Sequence, residues 1–154
     1  MYDILPGLIL GSVMSTKNKQ LMEQKGVTHI LSLGERPVQV PDNGVTKFFD
    51  IRDDDDADLL SLLPEIVEFI GSAIASGGKI IVHCFAGTSR SASCCIAYVM
   101  ASQGLEYEAA HDVVHKQCRS ICPNFVFQRQ LNQYYAQLQQ ASPNVITRVA
   151  PDVN

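Results

Sequence analysis

Short apolar runs recur along the chain, and the intervals between them carry helical spacing. Leu8–Gly11, Val27–Leu33, Val45–Ile51 and Lys79–Cys84 read as strands, and the opening Met1–Gly11 as a strand rather than a secretory leader. Ser15–Lys25 reads as a first helix stopped by Gly26, and Glu65–Ser76 as a second. That second segment has Ile66, Phe69, Ile70, Ala73 and Ile74 on one face, Pro64 in its first turn and Gly77-Gly78 behind it. Ala92, Cys95, Ile96, Val99 and Met100 also keep helical spacing, while Ala97 and Tyr98 make that helix apolar nearly all round, so it is expected to be buried. Glu106–Gln117 and Phe125–Leu138 complete the helices, the last with a core stripe of Phe127, Leu131, Tyr134 and Leu138. Strands alternating with helices predict an α/β layer fold. Residues 1–141 are expected to form one domain and 142–154, with two prolines and many polar residues, a loose tail.

Composition narrows the functional classes. A chain of 154 residues with net charge −4 lacks the basic face that non-specific nucleic-acid binding requires. No apolar run approaches the roughly 20 residues of a membrane span, and the residue after Met1 is Tyr2, not the glycine of a myristoylation signal. Five cysteines without a Cys-x-x-Cys pair suit neither a disulfide framework nor a zinc site, so a reducing compartment, cytosol or nucleus, is expected. The acidic run Asp53-Asp54-Asp55-Asp56 lacks the mid-loop glycine and terminal glutamate of a calcium loop. No metal or cofactor is implied.

The chemistry concentrates in His83-Cys84-Phe85-Ala86-Gly87-Thr88-Ser89-Arg90-Ser91, between the last strand and the apolar helix. A short loop leading into a helix N-terminus presents backbone N–H groups to an anion. Phe85, Ala86, Gly87, Thr88 and Ser89 would supply those groups, and the planar fork of Arg90 would grip two phosphate oxygens. The same positive elements would favour Cys84 as thiolate, the attacking form. The plain alternative is a buried free thiol at a strand end. Gly87 in mid-loop, the hydroxyls of Thr88, Ser89 and Ser91, and the strand–loop–helix context weigh against it. His83 is expected to support the loop backbone, since its side chain should leave the opposite face of the strand. Departure of an alkoxide or phenoxide needs a protonated acid opposite the cysteine, and the acidic run offers candidates.

His-Cys-x-Ala-Gly-x-Ser-Arg-Ser, followed by Ala97-Tyr98-Val99-Met100, resembles the signature of dual-specificity protein phosphatases, within the cysteine-dependent protein tyrosine phosphatase superfamily. Ile4–Gly11, Val27–Leu33 and Phe127–Leu131 extend the likeness over most of the chain, which is most similar to the small, atypical, single-domain members. The resemblance implies a central mixed, mostly parallel sheet of about four or five strands flanked by helices. It implies that 1–141 is the catalytic domain and that Ser91 eases departure of the Cys84 thiolate from a phosphocysteine. Ungapped alignment on Leu62–Ile70 puts the family's acid at Asp53, with Asp54 or Asp55 serving if the loop shifts by a residue; Asp58 reads as a helix N-cap. Pro123-Asn124-Phe125-Val126-Phe127 falls where the family shows Pro-Asn-x-Gly-Phe, so Asn124 would brace the loop or cap the last helix, and Val126 replaces a glycine.

The expected activity is hydrolysis of phosphotyrosine and phosphoserine/threonine in protein substrates, the chain acting as a monomer without nucleic acid. Rival substrates are phosphoinositides, inositol phosphates and RNA 5′-phosphates, but residues 85–89 carry no cation to match extra negative charge. A non-catalytic phosphate-binding adaptor is the other alternative. Arg36 is expected as a free surface arginine rather than part of the pocket rim. Cys94, Cys95, Cys118 and Cys122 are expected as inert core thiols, with a disulfide to Cys84 under oxidation as the minority alternative.

Overall fold

The opening apolar segment is a hairpin rather than a single strand. The computed structural model, which describes residues Met1–Ala141, has β1 (Tyr2–Leu5) turning at Pro6-Gly7 into β2 (Leu8–Ser12), with Leu5 opposite Leu8 and Tyr2 opposite Leu10. Proline fixes its own φ and glycine takes the positive φ that a two-residue reversal demands, so the strand breaks there. The tail expected over 142–154 lies outside the described residues.

Three parallel strands join β2: β3 (His29–Leu33), β4 (Val45–Phe49) and β5 (Ile80–Cys84). The sheet runs β1-β2-β5-β3-β4, antiparallel only at the β1 edge. The last strand in the sequence is therefore the central one, and all five of its residues are buried, as a parallel strand covered on both faces must be. Period-two alternation sorts the strands' side chains. Leu8, Leu10, Leu31, Leu33, Ile80 and Val82 join the large core, and Ile9, Ile30 and Ile81 pack with Met22 and Val27 on the other face.

The predicted helix over Ser15–Lys25 is a 3-10 turn, Val13–Lys17, followed by the short α1, Lys19–Gln24. Asn18 divides them: its side-chain oxygen accepts from the N–H of Leu21, which starts a new helix there. Further on, α2 (Leu63–Ala75) has Pro64 in its first turn, as expected. Next, α3 (Arg90–Gln103) buries 12 of its 14 residues and packs against both α2 and β5. The remaining helices, α4 (Tyr107–Gln117) and α5 (Phe125–Gln140), close around α3, with Phe127, Leu131, Tyr134 and Leu138 of α5 turned inward. None of the helices among the described residues is long and apolar enough to cross a membrane.

Register decides where the chemistry falls. Ser12 pairs with Cys84 and Ser32 with His83, so β2, β5 and β3 end together at the carboxyl edge of the sheet. Ligands of open α/β sheets bind outside that edge.

Candidate active site

The segment from Cys84 to Arg90 joins β5 directly to α3. It curls back on itself, and the Gly87 N–H donates to Cys84 Sγ at 3.2 Å. Gly87 has φ +78°, and a Cβ there would come within 2.7 Å of the Gly11 carbonyl oxygen, so both the turn and the closeness of β2 require glycine. Outside partners hold the loop carbonyls: Val13 N–H donates to Phe85 O (3.2 Å) and Cys122 N–H to Thr88 O (2.7 Å). Among the described residues, the N–H groups of Phe85, Ala86, Thr88 and Ser89 have no protein acceptor. The first N–H groups of α3 are also without helical partners, by the construction of any helix. An oxyanion matches such a set of donors. At its base Cys84 is 2% exposed, and its sulfur lies 3.2 Å from the Ser91 hydroxyl. The Gly87 N–H donates to this sulfur, and the Ser91 hydroxyl lies within hydrogen-bonding distance of it, with either atom able to donate.

Arg90 is braced from β3 and the end of β4. Its Nη1 donates to the Ile51 carbonyl at 3.0 Å; β4 itself ends at Phe49 rather than the expected Ile51, where its pairing with β3 stops at Leu33. Gly34 makes room for this: it has φ +77°, and a Cβ there would overlap Arg90 Nη1 and lie 2.6 Å from Ile51 O. Sequence reasoning missed Gly34, since only the tertiary approach of Arg90 explains it.

His83 leaves β5 on the face opposite Cys84, as expected, and is fully buried. Its Nδ1 faces the Cys84 carbonyl (3.2 Å) and its Nε2 the Ser32 hydroxyl (2.7 Å). A carbonyl only accepts, so Nδ1 carries the proton and Nε2 accepts from Ser32. Burial lowers the His83 pKa, against smaller opposing effects of the Cys84 carbonyl and Glu35, which favours this neutral tautomer. Ser32 was not singled out from sequence, where it reads as one polar residue inside an apolar strand.

From the acidic run the structure brings Asp53 to the loop. Its Oδ1 accepts from Ser89 Oγ (2.7 Å) and from Asn124 Nδ2 (2.8 Å). Asp54 is turned into its own loop, accepting from the Asp56 N–H at 3.1 Å. Asp58 accepts from the Ser61 N–H (3.1 Å), but it stands one residue ahead of Leu59, the N-cap of the 3-10 turn Leu60–Leu62, so the bond closes a local turn rather than capping α2 as expected. Asn124 does both things expected of it: its Oδ1 caps α5 by accepting from Phe127 N–H (2.8 Å), and its backbone N–H donates to Ser89 Oγ (3.1 Å). Val126 lies inside α5, so no positive φ is needed where the family has glycine. A further contributor is Gln130, whose Oε1 accepts from the N–H groups of Leu59 and Leu60 and whose Nε2 donates to Ala57 O, pinning the far end of the acidic loop.

Two surface expectations are corrected. Arg36 is exposed but not free: its guanidinium stacks on the Phe48 ring, 4.1 Å from the centroid. Cys122 is exposed rather than core, because its segment runs along the outside of the phosphate-type loop. Cys94, Cys95 and Cys118 are buried, and burial pushes the thiols of Cys94 and Cys95 well up. Among the described residues no group of three or more His, Cys, Asp or Glu is placed to hold a metal ion.

A mostly parallel sheet whose central strand ends in a buried thiol, beside a loop with amides unpaired among the described residues that leads into a helix starting at Arg90, defines an α/β domain with a candidate oxyanion site and nucleophile. The sequence profile of the dual specificity phosphatase catalytic domain matches residues 8–137, and the chain belongs to that family. Dual specificity protein phosphatase 1B of Arabidopsis thaliana is 34% identical over 138 residues, covering 89% of this chain and 83% of that protein. The chain spans only 37% of longer vertebrate relatives such as human dual specificity protein phosphatase 1. Among solved structures, human DUSP28 superposes with a TM-score of 0.88 at 29% identity, covering 92% of this chain and all of the other. The human tyrosine phosphatase-like serine/threonine/tyrosine-interacting protein superposes with a TM-score of 0.83 at 34% identity, covering 92% of this chain and 98% of that one.

Proposed function

We propose that this protein hydrolyses phosphotyrosine and phosphoserine/threonine esters of protein substrates through a phosphocysteine on Cys84. The supporting observation is the Cys84 sulfur held 3.2 Å from both the Gly87 nitrogen and the Ser91 hydroxyl, in the loop whose other amides have no protein acceptor among the described residues and which runs into α3 at Arg90.

In the first step Cys84 Sγ attacks phosphorus in line with the ester oxygen, so the S–P bond forms as the P–O bond breaks. Arg90 and the N–H groups of Phe85, Ala86, Thr88 and Ser89 hold the non-bridging oxygens, where charge accumulates. Asp53 gives its proton to the departing oxygen. Ser89 and Asn124 both donate to Oδ1, which leaves Oδ2 to carry that proton. In the second step the Asp53 carboxylate takes a proton from water, the water oxygen bonds to phosphorus, and the S–P bond breaks. Inorganic phosphate leaves, and the Ser91 hydroxyl stabilises the departing thiolate.

Charge supports protein monoesters over inositol polyphosphates. Phe85, Ala86, Thr88 and Ser89 carry no cation, and four consecutive aspartates stand beside the pocket. The second reading, an adaptor that holds phosphate without turnover, is raised by the likeness to the human interacting protein. The cysteine, the arginine and a carboxylate linked to the loop support catalysis instead. Five unpaired thiols suit a reducing compartment, cytosol or nucleus.

Turnover of p-nitrophenyl phosphate and of phosphotyrosine and phosphothreonine peptides tests this. Wild type should hydrolyse all three, and Cys84→Ser should hydrolyse none while still binding vanadate or phosphopeptide. Undiminished turnover by Cys84→Ser would overturn the proposal.

A further inference from the structure

The three most exposed large apolar side chains among the described residues are Phe125 (85%), Phe85 (61%) and Met14 (60%). All three are chain neighbours of groups that build the site. Phe85 follows Cys84 in the loop itself. Met14 follows Val13, whose N–H holds the Phe85 carbonyl at 3.2 Å. Phe125 follows Asn124, whose backbone N–H binds Ser89 Oγ and whose side chain binds Asp53. Large apolar side chains left to water beside a binding site mark an interaction surface.

We propose that Met14, Phe85 and Phe125 form an apolar rim that selects protein segments carrying large apolar residues beside the phosphorylated one. This deepens the phosphatase reading and rests on it. The cradle fixes the phosphate, so the residues on either side of the phosphorylated one must pass over the chains that border it. Two aromatic rings and a thioether there offer contact area and no charge. Apolar neighbours would bury surface on both partners, serine or glycine neighbours would bury little, and aspartate neighbours would lose hydration against three uncharged side chains and a net acidic loop. The loop that borders the remaining side exposes four carboxylates, Asp53, Asp55, Asp56 and Asp58, against one cation, Arg52, a balance that opposes seating these rings in an anionic lipid surface.

The test uses phosphotyrosine peptides of one length in which both neighbours are Leu, Ser or Asp. Binding is read by fluorescence anisotropy on Cys84→Ser, and kcat/KM on the active protein, with p-nitrophenyl phosphate as the substrate without neighbours. The Leu peptide should bind on the order of tenfold tighter than the Ser peptide, the Asp peptide being weakest. Phe125→Ser and Met14→Ser change exposed side chains; each should shrink that preference, the first to about twofold or less. Both should leave p-nitrophenyl phosphate kcat/KM within about twofold of wild type. Equal affinity for Leu and Ser peptides would overturn the rim, as would a preference that survives both substitutions. Sedimentation with phosphatidylserine vesicles that depends on Phe125, without any peptide preference, would also overturn it in favour of a membrane surface. Should no substrate turn over while the Leu preference persists in binding, the rim stands and the catalytic reading fails. Absence of all phosphopeptide binding would sink both.

Discussion

Asn124 Nδ2 donates to Asp53 Oδ1 at 2.8 Å across 71 residues of chain, while the same side chain's Oδ1 caps α5 at Phe127 N–H. One residue therefore ties together the start of the last helix and the carboxylate proposed as general acid. Ser89 completes the link, donating to Asp53 from within the loop that surrounds Cys84. The acid is positioned by the anion cradle itself and by the helix beside it.

Asn124→Ala should separate position from fold. Removing the cap costs about 1 kcal/mol of stability, and removing the amide donor frees Asp53 to leave its place. The turnover of phenyl phosphate, a poor leaving group, should fall roughly tenfold, and that of p-nitrophenyl phosphate much less. Asn124→Ser keeps a cap but is too short to reach Asp53. Thermal melts should show its stability restored and rate assays should show its kcat still low. Recovery of both together would assign Asn124 a purely structural role.

Asp53→Ala should lower kcat for poor leaving groups by ~10²–10⁴ and far less for acidic ones. Asp54→Ala should stay near wild type, because Asp54 engages Asp56 N–H in its own turn. A plot of log kcat against leaving-group pKa reads the difference as a steeper slope in the Asp53 variant. Equal loss across all leaving groups would remove Asp53 from the acid role.

Gly34→Ala tests the bracing of Arg90. The new methyl would need the space of Arg90 Nη1 at a backbone position with φ +77°. The strained φ alone costs about 1 kcal/mol, and the guanidinium must move from Ile51 O. Affinity for vanadate should drop by at least as much as in Arg90→Lys, where the bidentate fork is gone. Isothermal titration of both variants makes the comparison; unchanged vanadate binding in Gly34→Ala would mean that Arg90 does not depend on this brace.

Local pattern carried much of this site into the sequence. Cys84 and Arg90 are bound to one strand–loop–helix unit, and the apolar wrap of α3 announces its burial before any partner is known. Asp53 was reached only by resemblance, since four consecutive aspartates carry no periodicity that ranks them; the ranking comes from Ser89 and Asn124, far away in the chain. Gly34, Ser32 and Gln130 stayed hidden for the same reason. Each matters through one partner at least 50 positions distant: Arg90, His83 and the Ala57–Leu60 turn, respectively. The hairpin at Pro6-Gly7 was legible in its turn residues but was overridden by the apolar residues on either side.

The buried His83–Ser32 pair sets the last expectation, for stability against pH. Burial lowers the His83 pKa in the folded protein below the roughly 6.5 of an unfolded chain. On acidification the unfolded state therefore takes up its proton first. The stability held by neutral His83 is complete above that unfolded value and is lost as pH falls toward and through the folded one. His83→Asn removes this titration. Urea unfolding at pH 7.5, 6.5 and 5.5 should show wild type losing stability more steeply than His83→Asn across the lower interval. Ser32→Ala leaves Nε2 without its donor at a buried site, at a cost of about 1–3 kcal/mol at neutral pH. Parallel curves for wild type and His83→Asn would mean that folding leaves the His83 pKa unshifted, while a wild type that gains stability on acidification relative to His83→Asn would mean a protonated folded His83 whose Nε2 donates to Ser32.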